Sequence, residues 1–236
     1  MKKIGEGMSS IVLTDGKYAY KVYKHSDNKK QMIYEVNIQN EIYQSTDLNV
    51  IKYELDNDRI KMTLLEGENL ADKMIKEQDI NCFIEFINNQ DDIFKYQNLQ
   101  LPNAFEVFDK RIKKSNEKEE LKEKALQSLR KIDVKYQLCH FDYHPENIIY
   151  HNDKPYIIDW NNAKLGNPVM DIANTYIIFN IYAKEQADIY LNIMNQKGYS
   201  ISKIKEAIPL MAFMRYLDID DKKEKQMLIN LVESNK

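Results

Sequence analysis

The texture of the chain changes near Glu66 and Gly67, and this break limits the possible folds more than any other feature. Before it, short β-prone runs come in pairs around tight-turn residues. Residues 11–13 (IVL) and 18–23 (YAYKVY) flank "TDGK", where an Asp-Gly pair supplies the positive φ that a tight hairpin needs. Residues 50–55 and 59–65 flank "DND" in the same way. Between the two pairs, residues 31–44 carry Ile33, Ile38 and Ile42 with Glu35 and Glu41, which reads as a helix. Residues 1 to about 66 are therefore expected to form a small antiparallel sheet with one inserted helix. After the break, Ile80, Phe83, Ile84 and Ile87 recur at the interval of an amphipathic helix. Further helices are expected over 117–132, 170–197 and 203–217, with Gly198 as a break. "NIIY" and "YIID" around "HNDK" form one short hairpin within this helical half.

A chain of 236 residues makes one large domain or two small ones. Its net charge of −3 offers no global field for nucleic acid or an anionic membrane. The densest charged run, residues 109–135, mixes both signs and repeats Leu121, Ala125, Leu129 and Ile132 at helical spacing, as a solvated helix face does. Cys82 and Cys139 lack metal-ligand spacing, and two cysteines make no disulfide framework, so both are expected as reduced thiols. "MKKIGEGMSS" lacks the apolar core of a signal peptide, and no apolar run is long enough to cross a bilayer. A cytoplasmic protein is expected, with neither nucleic acid nor membrane as partner and with no mark of its oligomeric state.

Three stretches carry candidate chemistry. "IGEGMSSIV" (residues 4–12) places Gly5 and Gly7 between β-prone residues; this is either a turn or a loop whose backbone N–H groups approach a phosphate. No Gly-Lys-Ser/Thr follows, and a strand rather than a helix comes next, so neither a Walker loop nor a dinucleotide fingerprint is present. Lys21 shares a strand face with Ala19 and Tyr23. It is either a solubilising edge lysine or an ammonium under a nucleotide's phosphates, oriented by Glu35 in preference to Glu41. In "CHFDYHPENIIYHNDKPYIIDW" (residues 139–160), His140 and His144 are four apart, but Pro145 argues against a helix that would hold them as zinc ligands. Phosphoryl transfer suits the set better. Asp142 would accept the proton of an attacking hydroxyl, while Asn147 and Asp159 offer oxygens to Mg2+.

"HFDYHPENII" resembles the catalytic loop of the protein-kinase superfamily, His-x-Asp-x-x-x-x-Asn. The longer "FDYHPENIIYHNDKPYIIDWNNAKLGNPVMDIAN" is similar to the signature of the aminoglycoside phosphotransferase and choline kinase family. Protein kinases have Asp-Phe-Gly where this chain has Asp159-Trp160-Asn161, and it has no Ala-Pro-Glu. The resemblance spans residues 3–175 and is most specific over 139–175. It implies an α+β, bilobal protein-kinase-like fold: a small antiparallel-sheet N-lobe over 1–66 and a mainly helical C-lobe over 67–236 that holds the catalytic loop and acceptor site.

The resemblance also implies roles. The backbone at Gly5, Gly7, Ser9 and Ser10 covers the phosphates, Lys21 contacts them and pairs with Glu35, and Met62, Thr63, Leu64 and Leu65 form the hinge that meets the adenine. Asp142 is the base, His144 stands where protein kinases place a lysine near the γ-phosphate, and Asn147 and Asp159 hold Mg2+. Phe141 replaces a glycine common in the family, Asp171 has a structural role and Trp160 packs in the core. The implied activity is ATP- and Mg2+-dependent transfer of the γ-phosphoryl group to a hydroxyl of an aminoglycoside-, choline- or sugar-like molecule. GTP stays open as donor, because hinge contacts are made by backbone. A protein kinase and a non-catalytic nucleotide-binding module are the alternatives. Asp218, Asp220 and Asp221 would suit a cationic acceptor, but Lys222, Lys223 and Lys225 follow at once, as in a solvated turn.

Overall fold

Tight turns set the strand register at the start of the chain. In the computed structural model, which describes residues 1–7, 9–24 and 29–234, Gly16 adopts φ +91 and its N–H donates to Thr14 Oγ1 at 3.0 Å. The Asp15 carboxylate accepts from the N–H groups of Lys17 and Tyr18. The "DND" turn closes with Asn57 at φ +59, a position where asparagine is better tolerated than most residues.

In chain order the elements are β1 (Lys2–Glu6), β2 (Ser10–Thr14), β3 (Tyr18–Tyr23), α1 (Lys29–Ser45), β4 (Tyr53–Asp56), β5 (Arg59–Thr63), α2 (Leu70–Glu77), α3 (Ile80–Ile93), α4 (Ala104–Lys114) and α5 (Glu119–Lys131). Then come β6 (Gln137–Cys139), β7 (Ile148–His151), β8 (Lys154–Ile157), β9 (Lys164–Gly166), α6 (Pro168–Tyr182), α7 (Lys184–Gln196), α8 (Ile201–Tyr216) and α9 (Lys222–Glu233). They form two compact units: Met1–Phe83 with Pro145–Asn162, and Ile84–His144 with Ala163–Lys236.

The first unit is a five-stranded antiparallel sheet in the order β1-β2-β3-β5-β4. Helix α1 closes its core, where Met32 and Val36 join Ala19, Ile51, Tyr53, Ile60 and Met62. The expected strand over 50–55 starts only at Tyr53, because α1 side chains take over its early backbone. Gln39 Nε2 donates to Ile51 O at 2.8 Å, and the Asn40 amide exchanges two hydrogen bonds with Tyr53. The β7–β8 hairpin pairs from Ile148↔Ile157 to His151↔Lys154, turning at Asn152 and Asp153, both at positive φ. Segment 66–69 runs against it. Tyr150 N donates to Glu68 O, and Glu66 N donates to His151 Nδ1. The approach is so close that a Cβ on Gly67 would lie 1.7 Å from Tyr150 O.

The second unit is mainly helical, with most of α6 and half of α8 buried and a short β6–β9 ribbon. The expected single helix over 170–197 is two helices. It breaks at Ala183, at φ −152 and ψ 63, where the apolar run of α6 gives way to the polar "KEQ" that opens α7. The charged 109–135 run is likewise two helices, α4 and α5, parted at Ser115. The solvated turn expected over 216–225 is confined to residues 217–221; Lys222, Lys223 and Lys225 instead open α9, which Asp221 caps by accepting from Glu224 N. No helix among the described residues is long and apolar enough to cross a membrane.

Candidate active site

The strand alternation of β3 puts Lys21 on the face that α1 covers. Its Nζ lies 2.7 Å from Glu35 Oε1 and 3.4 Å from Asp159 Oδ1. Glu35 is the partner rather than Glu41, whose Oε1 instead accepts from Ser45 Oγ. Burial opposes the lysine's charge, but Asp159 and Glu35 outweigh it and hold its pKa above the usual lysine value. Asn147 and Asp159 flank the open end of the β7–β8 hairpin, where Ile158 N donates to Asn147 O at 2.9 Å. Asp159 sits at φ +61, an uncommon conformation for an aspartate. Among the described residues, no three His, Cys, Asp or Glu side chains form a metal-binding group.

Gly5 and Gly7 belong to the β1–β2 hairpin. Gly5 lies in β1 opposite Val12, and Gly7 N donates to Ser10 O at 2.9 Å to make the turn; Met8 lies outside the described residues. Neither glycine has positive φ, and an added Cβ would meet only ordinary contacts. Ser9 O accepts from Lys24 N, and Ser10 pairs with Tyr23 and is buried. Met62 and Thr63 end β5, and Leu64 and Leu65 follow it, packed partly against the sheet core.

In the second unit, the loop after β6 is held from one face of α6. Asp171 Oδ1 accepts from Phe141 N at 2.6 Å, and its Oδ2 accepts from His140 N and from Gln90 Nε2, both at 3.3 Å. Asn174 Nδ2 donates to Phe141 O, and Thr175 Oγ1 donates to Tyr143 O. Spacings of three and four residues put these groups on one helix face. Full burial pushes the Asp171 carboxyl up to about 6, against the N–H donors of Phe141, Gln90 and His140, which favour its charged form. Phe141 stands at φ +60, where a glycine would be unstrained, and its ring meets Phe108 edge-on at 5.1 Å. Gly166 leaves room for it: a Cβ there would come within 3.2 Å of Phe141 Cζ.

His140 is fully buried, and its Nδ1 accepts from Asp142 N at 3.3 Å. Asp142 Oδ1 has His144 Nε2 at 3.9 Å and Arg215 Nη1 at 4.0 Å. Arg215 is fixed in turn. Its Nε donates to Glu224 Oε1 at 3.0 Å, and Tyr182 donates to Glu224 Oε2. Arg215 and Glu224 were not anticipated, since they lie some 75 residues beyond the catalytic-loop pattern on helices with no motif. Asn174 and Thr175 were also missed, although polar residues three and four positions past Asp171 in an apolar helix are a readable signal.

The phosphotransferase enzyme family model matches residues 87–206, just over half of the chain. No curated protein matches it by sequence. Among solved structures, a thermostable mutant of aminoglycoside phosphotransferase APH(4)-Ia, in ternary complex with AMP-PNP and hygromycin B, has a TM-score of 0.69 at 12% identity, covering 98% of this chain and 91% of that one. The choline kinase LicA from Streptococcus pneumoniae has a TM-score of 0.65 at 17% identity, covering 98% and 94%. A choline/ethanolamine kinase family protein from Mesorhizobium loti has a TM-score of 0.66 at 12% identity, covering 99% and 88%. The fold is thus protein-kinase-like, and the chain belongs to the phosphotransferase enzyme family.

Proposed function

We propose that this chain transfers the γ-phosphoryl group of ATP to a hydroxyl of a small molecule. The observation that carries this reading is a buried Lys21 kept charged between a buried Glu35 and a more open Asp159. Such a group costs desolvation and is weak evidence of a stability device. It suits a polyanionic ligand that arrives with a cation. In the related fold crystallised with AMP-PNP and hygromycin B, the ligands are a nucleotide analogue and a hydroxyl-bearing aminoglycoside, which supports the same donor and acceptor classes here.

Asn147 and Asp159 supply only two side-chain oxygen donors, which fits Mg2+ bound through one or two protein groups with nucleotide phosphates and water. When bound, the ion would neutralise charge on the phosphate oxygens as the bond breaks. Lys21 binds the phosphates beside it, and the turn at Gly5, Gly7, Ser9 and Ser10 brings backbone N–H groups over them. Met62, Thr63, Leu64 and Leu65 form the segment for the base. Asp142 takes the proton of the attacking hydroxyl, with His144 Nε2 at 3.9 Å and Arg215 Nη1 at 4.0 Å from its Oδ1.

The test is ADP release by the purified protein over hydroxylated metabolites and aminoglycosides, with Asp142→Asn as the blank. Transfer by the variant is expected to fall about 10²- to 10⁴-fold, with AMP-PNP binding retained. Near-wild-type turnover by Asp142→Asn removes Asp142 as the base.

A further inference from the structure

Tyr23 lies two residues beyond Lys21 on β3, so both side chains face α1. Its hydroxyl donates to Glu35 Oε2, while Glu35 Oε1 takes the Lys21 ammonium at 2.7 Å. The Asn161 side chain, two residues past Asp159, favours the ionised form of the same hydroxyl, against burial and Glu35. One phenol thus ties β3 to α1. Lys21's two acidic partners differ sharply. The Glu35 side chain is 1% exposed, with one oxygen on Lys21 and the other on Tyr23, whereas that of Asp159 is 42% exposed and stands farther off, at 3.4 Å.

We infer that Tyr23 is a positioning residue that makes Glu35 the fixed partner of Lys21 and leaves Asp159 as the exchangeable one. The inference rests on reading Lys21, Glu35 and Asp159 as the group that receives a magnesium nucleotide. A carboxylate held at both oxygens cannot rotate away from the lysine. Lys21 therefore keeps a counter-charge when Asp159 turns to the cation. Packing alone does not require the hydroxyl, since a phenylalanine would fill nearly the same volume.

The test is calorimetric: AMP-PNP affinity as a function of Mg2+ concentration, for the wild-type protein and Tyr23→Phe, alongside thermal unfolding without ligand. The Mg2+ midpoint is expected to rise about tenfold in Tyr23→Phe, the size expected for losing one hydrogen bond to a charged group. An unchanged Mg2+ midpoint in Tyr23→Phe overturns the inference, and so does a loss of thermal stability with no such shift. Failure of the wild-type protein to bind AMP-PNP at any Mg2+ concentration would instead defeat the reading of the site itself, and the inference with it.

Discussion

Around Lys21, charge is held by charge; around Asp142, a loop backbone is held by the neutral and acidic side chains of one helix. In the first unit, the ammonium of Lys21 meets the carboxylates of Glu35 and Asp159. In the second, Asp171, Asn174 and Thr175 of α6 bond to backbone N–H and C=O groups of His140, Phe141 and Tyr143. Ion groups answer to ligands that bring charge. Backbone clamps fix a geometry whatever binds. The contrast predicts that damage to the two places will show in different measurements.

Lys21→Met should have the largest effect. It strands the Glu35 carboxylate in the interior, which costs about 3–5 kcal/mol of stability. On the proposed reading it also removes the cation that binds the phosphates, so kcat/KM is expected to fall about 10²- to 10³-fold. Urea unfolding and steady-state kinetics read the two effects, and full AMP-PNP affinity in the variant would break the comparison. Asp171→Ala comes next. It leaves the buried N–H groups of Phe141 and His140 without their acceptor, which costs about 2–4 kcal/mol. Here kcat should drop while AMP-PNP affinity stays near wild type.

The pH response of Asp171 is smaller and separates the units further. Its folded pKa of about 6 lies above the 3.8 of an ordinary aspartate, so between those values the folded state binds the extra proton. Stability therefore falls as pH rises from about 4 to about 6, by an amount on the order of 2–3 kcal/mol, and this contribution is flat above. Urea midpoints of the wild type and Asp171→Asn at pH 4.5 and pH 7 should show this slope only in the wild type. The smallest effect is expected from Gly7→Ala. The added methyl has room and φ is ordinary, so stability should change by no more than about 0.5 kcal/mol. A severalfold loss of AMP-PNP affinity with unchanged stability would support the phosphate-loop role; unchanged affinity would leave this stretch a turn.

The two regions were also unequally legible. Strand alternation fixed the face of Lys21, and its pairing with Glu35 rather than Glu41 followed from the family resemblance. The hairpin turns at Gly16, Asn57, Asn152 and Asp153 were readable from residues that tolerate positive φ. The spacing of Asp142, Asn147 and Asp159 marked them as a set. What surrounds Asp142 was less visible, because Arg215, Glu224 and Tyr182 meet only through helix packing. Tyr23 was noticed only as a neighbour of Lys21 on the strand; that its hydroxyl reaches Glu35 depends on how α1 lies on the sheet. Helix α9 was missed because its lysine-rich start resembles a solvated turn, and the break at Ala183 carries neither proline nor glycine.

The β7–β8 hairpin bears on how this stretch of chain tolerates changes of length. Its arms run from Asn147 to Asp159 around the two-residue turn at Asn152 and Asp153, and each side chain's direction is counted off in paired steps. The hairpin therefore works as a ruler. Adding or removing one residue in either arm would offset Asn147 from Asp159 by one step and turn one of the two to the opposite face. Within these thirteen positions, a change of length can keep the two oxygen donors matched only if both arms change together, whereas a substitution facing solvent leaves the measure intact.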